Sequence, residues 1–454
     1  MAESASAEIQ EEWEANGASG NESQNGEVDT EANLLDRALA NNIALMLESS
    51  EPLLSSKCCI YKVPTDLRKL NEEAYTPEVI SIGHFHRGDE RLKTMERLKV
   101  TYFKIFVKKV KLNVENLVTT IRAREACIRH CYSHTSGLSS DDYVKMILLD
   151  ASFIIVVFHL FYDEEWRRCY NLTTFSLRLI VIVMRDICLL ENQLPFFIIE
   201  ELYNLAFPSH LNYRSFTQLA YGIFEILVRE LFSLQIEPTM SPYPDFKIMH
   251  FADLLRTFSL PQSQRPQQRN LGDQIIHLYS ASQLDEAGVK FKVGSSKCLF
   301  DLKFTNGVLE IPCLKIDDDT ESIFRNLMAL EQCHYAFDHY ITDYICILDF
   351  LIDTDKDVDL LVRNGILVHT LGNNNAVTSF VNKLSQRICS SEMNSNYSCL
   401  CEKLNTFYKV RCHRWKATLR RDYFKTPWRT ASTIAAIILL LFTFIQTICS
   451  IISL

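Results

Sequence analysis

Four side chains of the types that bind zinc occur close together in the segment EACIRHCYSH. Cys127, His130, Cys131 and His134 are spaced i, i+3, i+4 and i+7, which predicts that they share one stripe of a helix. Cys127 and His134 would then lie about 10.5 Å apart along the axis, too far apart to bind one tetrahedral ion. At most two of the four could bind an ion, with the remaining ligands supplied from elsewhere, for example by Cys399, Cys401, Cys412 or His413. Because no C-x-x-C pair accompanies them, we interpret the stripe as a half-buried helix face and predict no metal site.

Two apolar runs contain charged side chains that could form a polar site. The run LLENQLPFF contains Glu191, and the run FRNLMALEQ contains Arg325 and Glu331. A buried polar group without a partner costs about 1–3 kcal/mol, so these groups must be paired. We predict that the two runs meet and satisfy each other, with Arg325 pairing to Glu191 or Asp186. The alternative is a ligand-binding or catalytic pocket built from Glu191, Arg325 and Glu331.

The composition argues against several classes of enzyme and against nucleic-acid binding. The 454 residues include only 13 glycines and carry a net charge of −9. Phosphate-binding loops and tight β-turns need glycine, so its scarcity favours a helix-rich fold. The chain has no P-loop, dinucleotide-binding, serine-hydrolase or zinc-protease motif. An acidic balance is opposite to the basic surface that nucleic-acid binding needs, so we predict no nucleic-acid partner. Because the catalytic motifs are missing, we also predict no small-molecule substrate, cofactor or catalytic residue set.

The pattern of apolar residues predicts the elements that position these groups. A single β signal lies at 289–314, where alternating apolar residues flank the turn dipeptide Asn306-Gly307 of a hairpin. Helical periodicity dominates elsewhere, and Pro195 interrupts it after the first polar run. The predicted segments are an amphipathic helix at 34–56, non-helical chain at 58–90, helices at 90–132 and on to about 235, loops at 236–247 and 259–272, and helices again from about 319.

The two ends of the chain differ from its body. Residues 1–33 are acidic and rich in Ser, Gly and Asn, which predicts a disordered tail, and they do not resemble a secretory signal. Residues 434–454 read IAAIILLLFTFIQTICSIISL, and 21 helical residues span about 31 Å, the thickness of a bilayer's hydrocarbon core. Seven basic residues precede this segment and none follows it. The positive-inside rule therefore predicts a C-terminal membrane anchor with the body in the cytosol. The basic residues are Arg411, Arg414, Lys416, Arg420, Arg421, Lys425 and Arg429.

Two interior apolar runs are predicted to be core helices and not membrane spans. Residues 147–161 contain Asp150, and residues 177–199 are cut by several charges and by Pro195. A charge at the centre of a lipid-facing helix costs about 2.5–3.5 kcal/mol. The 15 scattered cysteines fit reduced thiols in a cytosolic body. Three glycosylation sequons, at Asn21, Asn171 and Asn396, would matter only in the opposite topology.

Several motifs together resemble one family of plant proteins. They occur in a fixed order from about residue 57 to the C-terminus, and LLENQLPFF and FRNLMALEQ are the most specific. On these motifs the chain resembles the plant family called domain of unknown function 247. The motifs are Tyr61-Lys-Val-Pro64 with Leu67-Arg68, Tyr75-x-Pro77-x-x-Ile80-Ser-Ile-Gly83-x-Phe-His86, Met95-Glu96-x-x-Lys99, Leu149-Asp150, the two runs above, Gly307-x-Leu-x-Ile-Pro312 and Tyr423-Phe-x-x-Pro-Trp428.

The resemblance implies an α-helical, membrane-anchored plant protein without an established enzymatic activity. Some members of the family are implicated as male determinants of self-incompatibility in grasses, and others are linked to growth or stress responses. No catalytic residue set is known for the family. The resemblance therefore assigns no catalytic, cofactor-binding or metal-binding residue to this chain.

Together these observations predict a mainly α-helical protein with a small sheet near 289–314 and a C-terminal transmembrane helix. The predicted domains are a disordered tail at 1–33, a single globular domain at 34–430 and the transmembrane helix at 431–454. The predicted function is non-enzymatic: recognition or signalling through an unidentified protein partner, at the plasma membrane, with the body in the cytosol. The alternatives are an enzyme with a pocket near Glu191, Arg325 and Glu331, and a structural membrane tether.

Overall fold

The computed structural model divides into two compact units, residues 1–54 and residues 55–454. In the first unit the structure describes one helix, α1 (Glu31–Glu48), whose described side chains are exposed. It begins inside the predicted tail 1–33, and residues 1–30 lie outside the described part. The structure describes residues 31–48, 54–110, 113–164, 166, 177–208, 214–232, 247–261, 273–274, 277–296, 298–335, 338–388, 392–410 and 427–452.

The second unit is mainly helical, as the sequence predicts. The predicted loops at 236–247 and 259–272 and the basic stretch before the C-terminal helix fall mostly outside the described residues. The described helices of the unit are α2 (Thr65–Arg68), α3 (Lys93–Val110), α4 (Val114–Arg129), α5 (Ser140–Tyr162), α6 (Leu177–Cys188), α7 (Phe196–Ala206), α8 (Phe216–Phe232), α9 (Phe251–Ser259), α10 (Ala281–Glu286), α11 (Thr320–His334), α12 (Tyr340–Leu351), α13 (Asp355–Arg363), α14 (Asn374–Leu384), α15 (Ser395–Lys409) and α16 (Pro427–Ile452).

The β-structure consists of short strands around the predicted hairpin. Strands β3 (Lys303–Thr305) and β4 (Val308–Ile311) pair antiparallel across Asn306-Gly307, whose φ angles of 52° and 78° suit a hairpin turn. This hairpin confirms the prediction for 289–314. The parallel pairings were not predicted, because their partners are distant in sequence or have no turn signal between them. β2 (Lys290–Val293) pairs with β4, β5 (Leu314–Ile316) with β6 (Leu367–His369), and β1 (Asp273–Gln274) antiparallel with β7 (Glu392–Met393).

Helix α5 forms the centre of the hydrophobic core. Ser139 caps it by accepting a hydrogen bond from the Asp142 N–H at 3.2 Å, and α3, α4, α7 and α8 pack around it. Its most apolar stretch is 83% buried, so the prediction of a core helix at 147–161 is confirmed. The second run, 177–199, folds as α6 and α7, which are separated by the segment 189–195 and bury their inner faces.

The chain between residues 58 and 88, here called the N-terminal strap, contains little regular structure. It includes only α2 and a 3₁₀ turn, Glu73–Tyr75, in agreement with the predicted non-helical segment. Such a segment has few internal partners for its backbone N–H groups, and its buried groups must find them elsewhere. The strap finds them on α5, on α6 and on the segment that joins α6 to α7.

Candidate functional site

Glu191 binds the first part of the strap. Its Oε1 accepts a hydrogen bond from the Val63 N–H at 2.6 Å, and its Oε2 forms an ion pair with Arg68. The His86 ring nitrogen Nε2 lies 3.4 Å from the same Oε2. The Glu191 side chain is 2% exposed, so the carboxylate is almost entirely surrounded by these partners. All of its partners belong to the strap.

Electrostatics keeps this carboxylate ionised. Burial by itself would raise the pKa of Glu191, but the His86 ring beside it, the hydrogen bond and charge of Arg68, and the Val63 N–H together hold it below the ordinary value. A general acid needs the opposite, a carboxyl whose pKa is raised toward the working pH. The geometry of Glu191 is that of a counter-ion that fixes the strap.

Three side chains near Glu191, those of Asp186, Asn192 and Gln193, bind backbone groups of the strap and of the chain around the end of α6. Together with Glu191 we call them the ENQ cluster. Asp186 accepts from three successive strap N–H groups at 2.8–2.9 Å, those of Glu78, Val79 and Ile80. Asn192 accepts from Ile82 N–H at 2.6 Å and donates to the carbonyls of Ile80 and Asp186. Gln193 donates to the carbonyls of Ile187 and Leu189 and accepts from Phe251 N–H at 2.9 Å.

A buried ion pair also binds the strap. Lys99 of α3 and Asp150 of α5 are 2.6 Å apart, and each side chain is 1% exposed. Asp150 also accepts from the Gly83 N–H at 2.9 Å, and Lys99 donates to the Ser81 carbonyl, so both side chains bind the strap. Burial raises the pKa of Asp150 to about 6, against the opposing effect of the Lys99 charge. The ion pair joins two core helices to the strap.

The prediction that Arg325 pairs with Glu191 or Asp186 is wrong. Its Nε lies 2.7 Å from Glu321, one turn earlier on α11, and it also donates to the Lys383 carbonyl at 3.2 Å. Glu191 and Asp186 are instead occupied by the strap. Because Glu321 lies at i−4 on the same helix, the local pairing requires no long-range alignment.

The two polar runs nevertheless meet, through an amide. Asn326 accepts a hydrogen bond from the Leu190 N–H at 2.9 Å and donates to the Ala74 carbonyl at 2.7 Å. One buried side chain of α11 thus contacts both the run LLENQLPFF and the strap. The two runs therefore meet, as predicted, but they do not satisfy each other, because Glu191 pairs with the strap, Arg325 with Glu321 and Glu331 with Arg256.

Glu331 has its own set of partners at the far end of α11. Arg256 of α9 lies 3.1 Å from its Oε1, and the N–H groups of Ile341 and Thr342 donate to its two oxygens at 3.1 and 2.8 Å. Among the described residues no hydrogen bond or ion pair joins Glu191, Arg325 and Glu331. These three groups instead fix three different junctions of the fold.

The Cys/His stripe is interrupted by the end of a helix. α4 ends at Arg129, so His130, Cys131 and His134 lie beyond it and do not share a helical stripe with Cys127. Cys131 is buried, and both histidines are exposed. Within the described ranges no three His, Cys, Asp or Glu side chains are placed to hold a metal ion. Two of the distant candidate ligands, Cys412 and His413, lie outside those ranges.

A groove that the sequence did not indicate lies between β3 and α15. It has a volume of about 310 Å³ and contains both lysines and tyrosines, including Lys303, Lys403, Tyr340 and Tyr397. The Lys303 ammonium is 2.9 Å from Asp301, and Tyr397 donates to the Phe300 carbonyl at 2.7 Å. Lys303 and Tyr397 therefore already have partners in the protein. No sequence signal marks the groove, because it forms where a strand edge and a distant helix come together.

Comparison with known proteins gives the family. Residues 60–442 match the model of the family DUF247, described as plant protein of unknown function. The chain belongs to this family. Relatives in Arabidopsis thaliana include UPF0481 protein At3g47200, 26% identical over 90% of this chain and 89% of the relative. Putative UPF0481 protein At3g02645 is 21% identical over 85% of this chain and 89% of the relative. No solved structure matches this DUF247 chain.

Most of the motifs behind the resemblance converge on one structural task. The strap supplies the first two motifs, and α3 and α5 supply the buried ion pair. The two polar runs supply Asn326 and the ENQ cluster except for Asp186, which lies in α6. In this DUF247 protein the motif side chains therefore hold an irregular N-terminal segment against a helical core.

Proposed function

We propose that this DUF247 protein is a membrane-anchored, non-enzymatic protein that acts through protein–protein contacts in recognition or signalling. Its helix α16 crosses the membrane, most simply the plasma membrane, and the body at residues 55–410 lies on the cytosolic side. The body then presents its surface to soluble partners while α16 restricts it to the membrane plane.

The state of α16 carries the proposal. Residues 431–449 have a mean hydropathy of 2.2 and are 0% buried in the protein. An apolar helix of this length without protein contacts is stable in a lipid bilayer, where all its backbone groups are satisfied within the helix. Trp428, 86% exposed, lies at its first turn, where an interfacial aromatic side chain is favourable.

The use of the polar motifs supports the non-enzymatic part. Glu191, Arg325 and Glu331 each bind partners that hold elements of the fold together, namely Val63, Glu321 and Arg256. These contacts fix the shape of the body and of the surface that it exposes. Protein–protein recognition requires a surface of fixed shape.

Topology is the first experiment. A glycosylation sequon would be fused after Leu454, and the full chain expressed in plant cells, with the native sequon at the exposed Asn396 as an internal reporter. Glycosylation of the added sequon alone is expected for a cytosolic body. Glycosylation at Asn396 would reverse the topology and contradict the proposal.

Recognition requires a second experiment. A proximity-labelling enzyme would be fused to the N-terminus of the full chain and, as the matched control, to α16 alone with its flanking residues. We expect some proteins to be labelled by the full-chain fusion and not by the α16 fusion. At least one of these proteins should form a defined complex with the purified full chain. Identical neighbours for both fusions would leave α16 as the only determinant and would favour the tether.

A further inference from the structure

Two cysteines lie side by side where the strap begins. The Ile60 N–H donates to the Cys131 carbonyl at 2.8 Å, and the Ser133 N–H donates to the Ile60 carbonyl at 2.9 Å. These bonds form a parallel β-bridge between Ile60 and Tyr132. The Cys59 N–H also donates to the Cys131 carbonyl at 2.9 Å, so the residues before each bridge partner are held next to each other.

The bridge gives the two cysteines a geometry that suits a disulfide. Neighbouring extended chains lie about 4.8 Å apart, within the 4.4–6.8 Å between Cα atoms that a disulfide spans. Cys131 lies in the turn that ends α4, where its thiol is 3.3 Å from the Cys127 carbonyl, and a hydrogen bond between the Cys59 and Cys131 side chains places the two sulfurs next to each other. Both thiols are free and 6% exposed, so they meet in a nearly dry environment.

The environment distinguishes the two thiols chemically. A hydrogen bond from Cys59 lowers the pKa of Cys131, against the effect of burial, and the positive charges of Lys247 and Lys57 lower it further. The same hydrogen bond, with burial, raises the pKa of Cys59. The thiolate is the nucleophilic form of cysteine, so the lower pKa favours Cys131 as the sulfur that reacts first.

We propose that Cys59 and Cys131 form an oxidation site whose oxidant is a peroxide and whose product is an intramolecular disulfide. The Cys131 thiolate attacks one oxygen of hydrogen peroxide, the O–O bond breaks, and hydroxide leaves, giving a sulfenic acid at Cys131. The Cys59 sulfur then attacks the Cys131 sulfur, the S–O bond breaks, and water leaves with the Cys59 proton. Two thiols and one peroxide yield one disulfide and two waters.

The disulfide would fix the start of the strap to the chain that follows α4. Closing the loop from residue 59 to residue 131 restricts the unfolded chain, and loops of that size give large stabilisation. The strap carries the Val63 and Arg68 contacts to Glu191, so these contacts would be held in place by the bond. The oxidation state of the two cysteines would thus determine how firmly the strap is held against the helical core.

Peptide mapping of the full chain in detergent tests the proposal. The folded protein is treated with hydrogen peroxide, free thiols are blocked with N-ethylmaleimide, and the protein is digested with trypsin without reduction. We expect the peptide CCIYK to be joined to HCYSHTSGLSSDDYVK, and we expect dithiothreitol to separate them. Recovery of both peptides fully blocked by maleimide, or joined only after the protein has been unfolded in urea, overturns the proposal.

Two matched variants identify the sulfur on the first peptide, which contains both Cys58 and Cys59. In Cys58→Ser the joined peptide is expected to form as in the wild type, and in Cys59→Ser it is expected to be lost. In Cys59→Ser the sulfenic acid at Cys131 has no thiol to react with, so it should accumulate and be trapped by dimedone. This labelling would show that the variant is folded and reactive. A link retained in Cys59→Ser but lost in Cys58→Ser assigns the bond to the wrong cysteine and overturns the proposal.

Discussion

Individual polar side chains in this protein act mainly as acceptors for backbone groups of the strap. Asp186 binds three successive N–H groups, and Glu191 binds one N–H group as well as a guanidinium. Since an irregular segment cannot satisfy its own backbone, removing such an acceptor leaves several buried donors without partners. The free energy of unfolding lost on substituting such a residue therefore depends more on how deeply the residue is buried than on its charge.

Substitution of Glu191 tests this consequence. In Glu191→Gln the amide retains one acceptor for Val63 but loses the charge that balances Arg68, and we expect a loss of about 2–4 kcal/mol in the free energy of unfolding. Glu201→Gln is the matched control, because its ion pair with Arg124 has side chains 34% and 51% exposed, and should cost less than about 1 kcal/mol. Urea unfolding of the full chain in detergent measures both; equal losses would contradict the structural role of Glu191.

His250 provides a prediction for the effect of pH. Its Nε2 lies 2.9 Å from the Cys59 carbonyl, its Nδ1 accepts from the Asp253 N–H, and burial lowers its pKa to about 4. Between pH 4 and the ordinary value of 6.5 the unfolded chain binds this proton and the folded chain does not. Stability from His250 is therefore present above pH 6.5 and lost as the pH falls, by about 1 kcal/mol from pH 7.5 to 5.5.

Comparison of two glutamine variants isolates that contribution. His250→Gln can make the same two hydrogen bonds but does not titrate, so its loss of stability between pH 7.5 and 5.5 should be smaller than that of the wild type by about 1 kcal/mol. His130→Gln, at an exposed position, should retain the wild-type pH dependence. The free energy of unfolding at the two pH values is the measurement. A wild-type slope in His250→Gln would show that His250 is not the group responsible.

At the scale of elements, the fit between the strap and the segment after α6 is set by close backbone approach. Gly83 has a φ of +74°, and a Cβ there would lie 2.6 Å from the Gln193 carbonyl oxygen and 2.9 Å from the Tyr132 hydroxyl. A left-handed backbone conformation and a lack of space both require glycine at this position. The strap could not lie as close to the ENQ cluster with any other residue.

Two alanine variants separate these requirements. Gly88 has a φ of +92° with no atom within 4 Å of the added Cβ, so Gly88→Ala should cost only the backbone strain, about 1 kcal/mol. Gly83→Ala adds the steric clash, and we expect at least twice that loss, because the strap must move away from Gln193. Urea unfolding of the two variants supplies the comparison. Equal losses would mean that the strap is not held closely.

At the scale of the whole molecule, two helices among the described residues are long and apolar enough to cross a membrane, and they differ in how much of their surface the protein buries. α5 is 83% buried within the protein, whereas the apolar window of α16 is not buried at all. Hydropathy alone does not distinguish them, since the core of a protein and the interior of a bilayer are both apolar. Packing distinguishes them, because α5 has α3, α4, α7 and α8 as neighbours.

Charges introduced into α16 test its role. Leu440→Lys together with Phe444→Lys would place two charges near the centre of the span, at about 2.5–3.5 kcal/mol each, and we expect the protein to leave the membrane fraction on alkaline extraction. Leu440→Ile with Phe444→Leu is the apolar control and should stay in the membrane pellet. Retention of the double lysine variant in the pellet would mean that another part of the chain holds it there.

The sequence by itself determined the features that depend on local patterns. Helical periodicity, the Asn306-Gly307 turn and the apolar run of α16 each follow from residues close together in the chain, and the structure contains the corresponding helices and hairpin. The sequence also showed that the polar side chains in LLENQLPFF and FRNLMALEQ must be paired, because burial of such groups requires partners.

Only the tertiary structure decided which groups pair. Arg325 took the nearby Glu321, and Glu191 took Arg68 from more than a hundred residues earlier. The sequence could not indicate these choices, because pairing depends on which segments the packed core brings within hydrogen-bond distance. The adjacency of Cys59 and Cys131 has the same origin, a backbone bridge between two distant segments. Local chemistry thus determined which elements form, and packing determined which side chains meet.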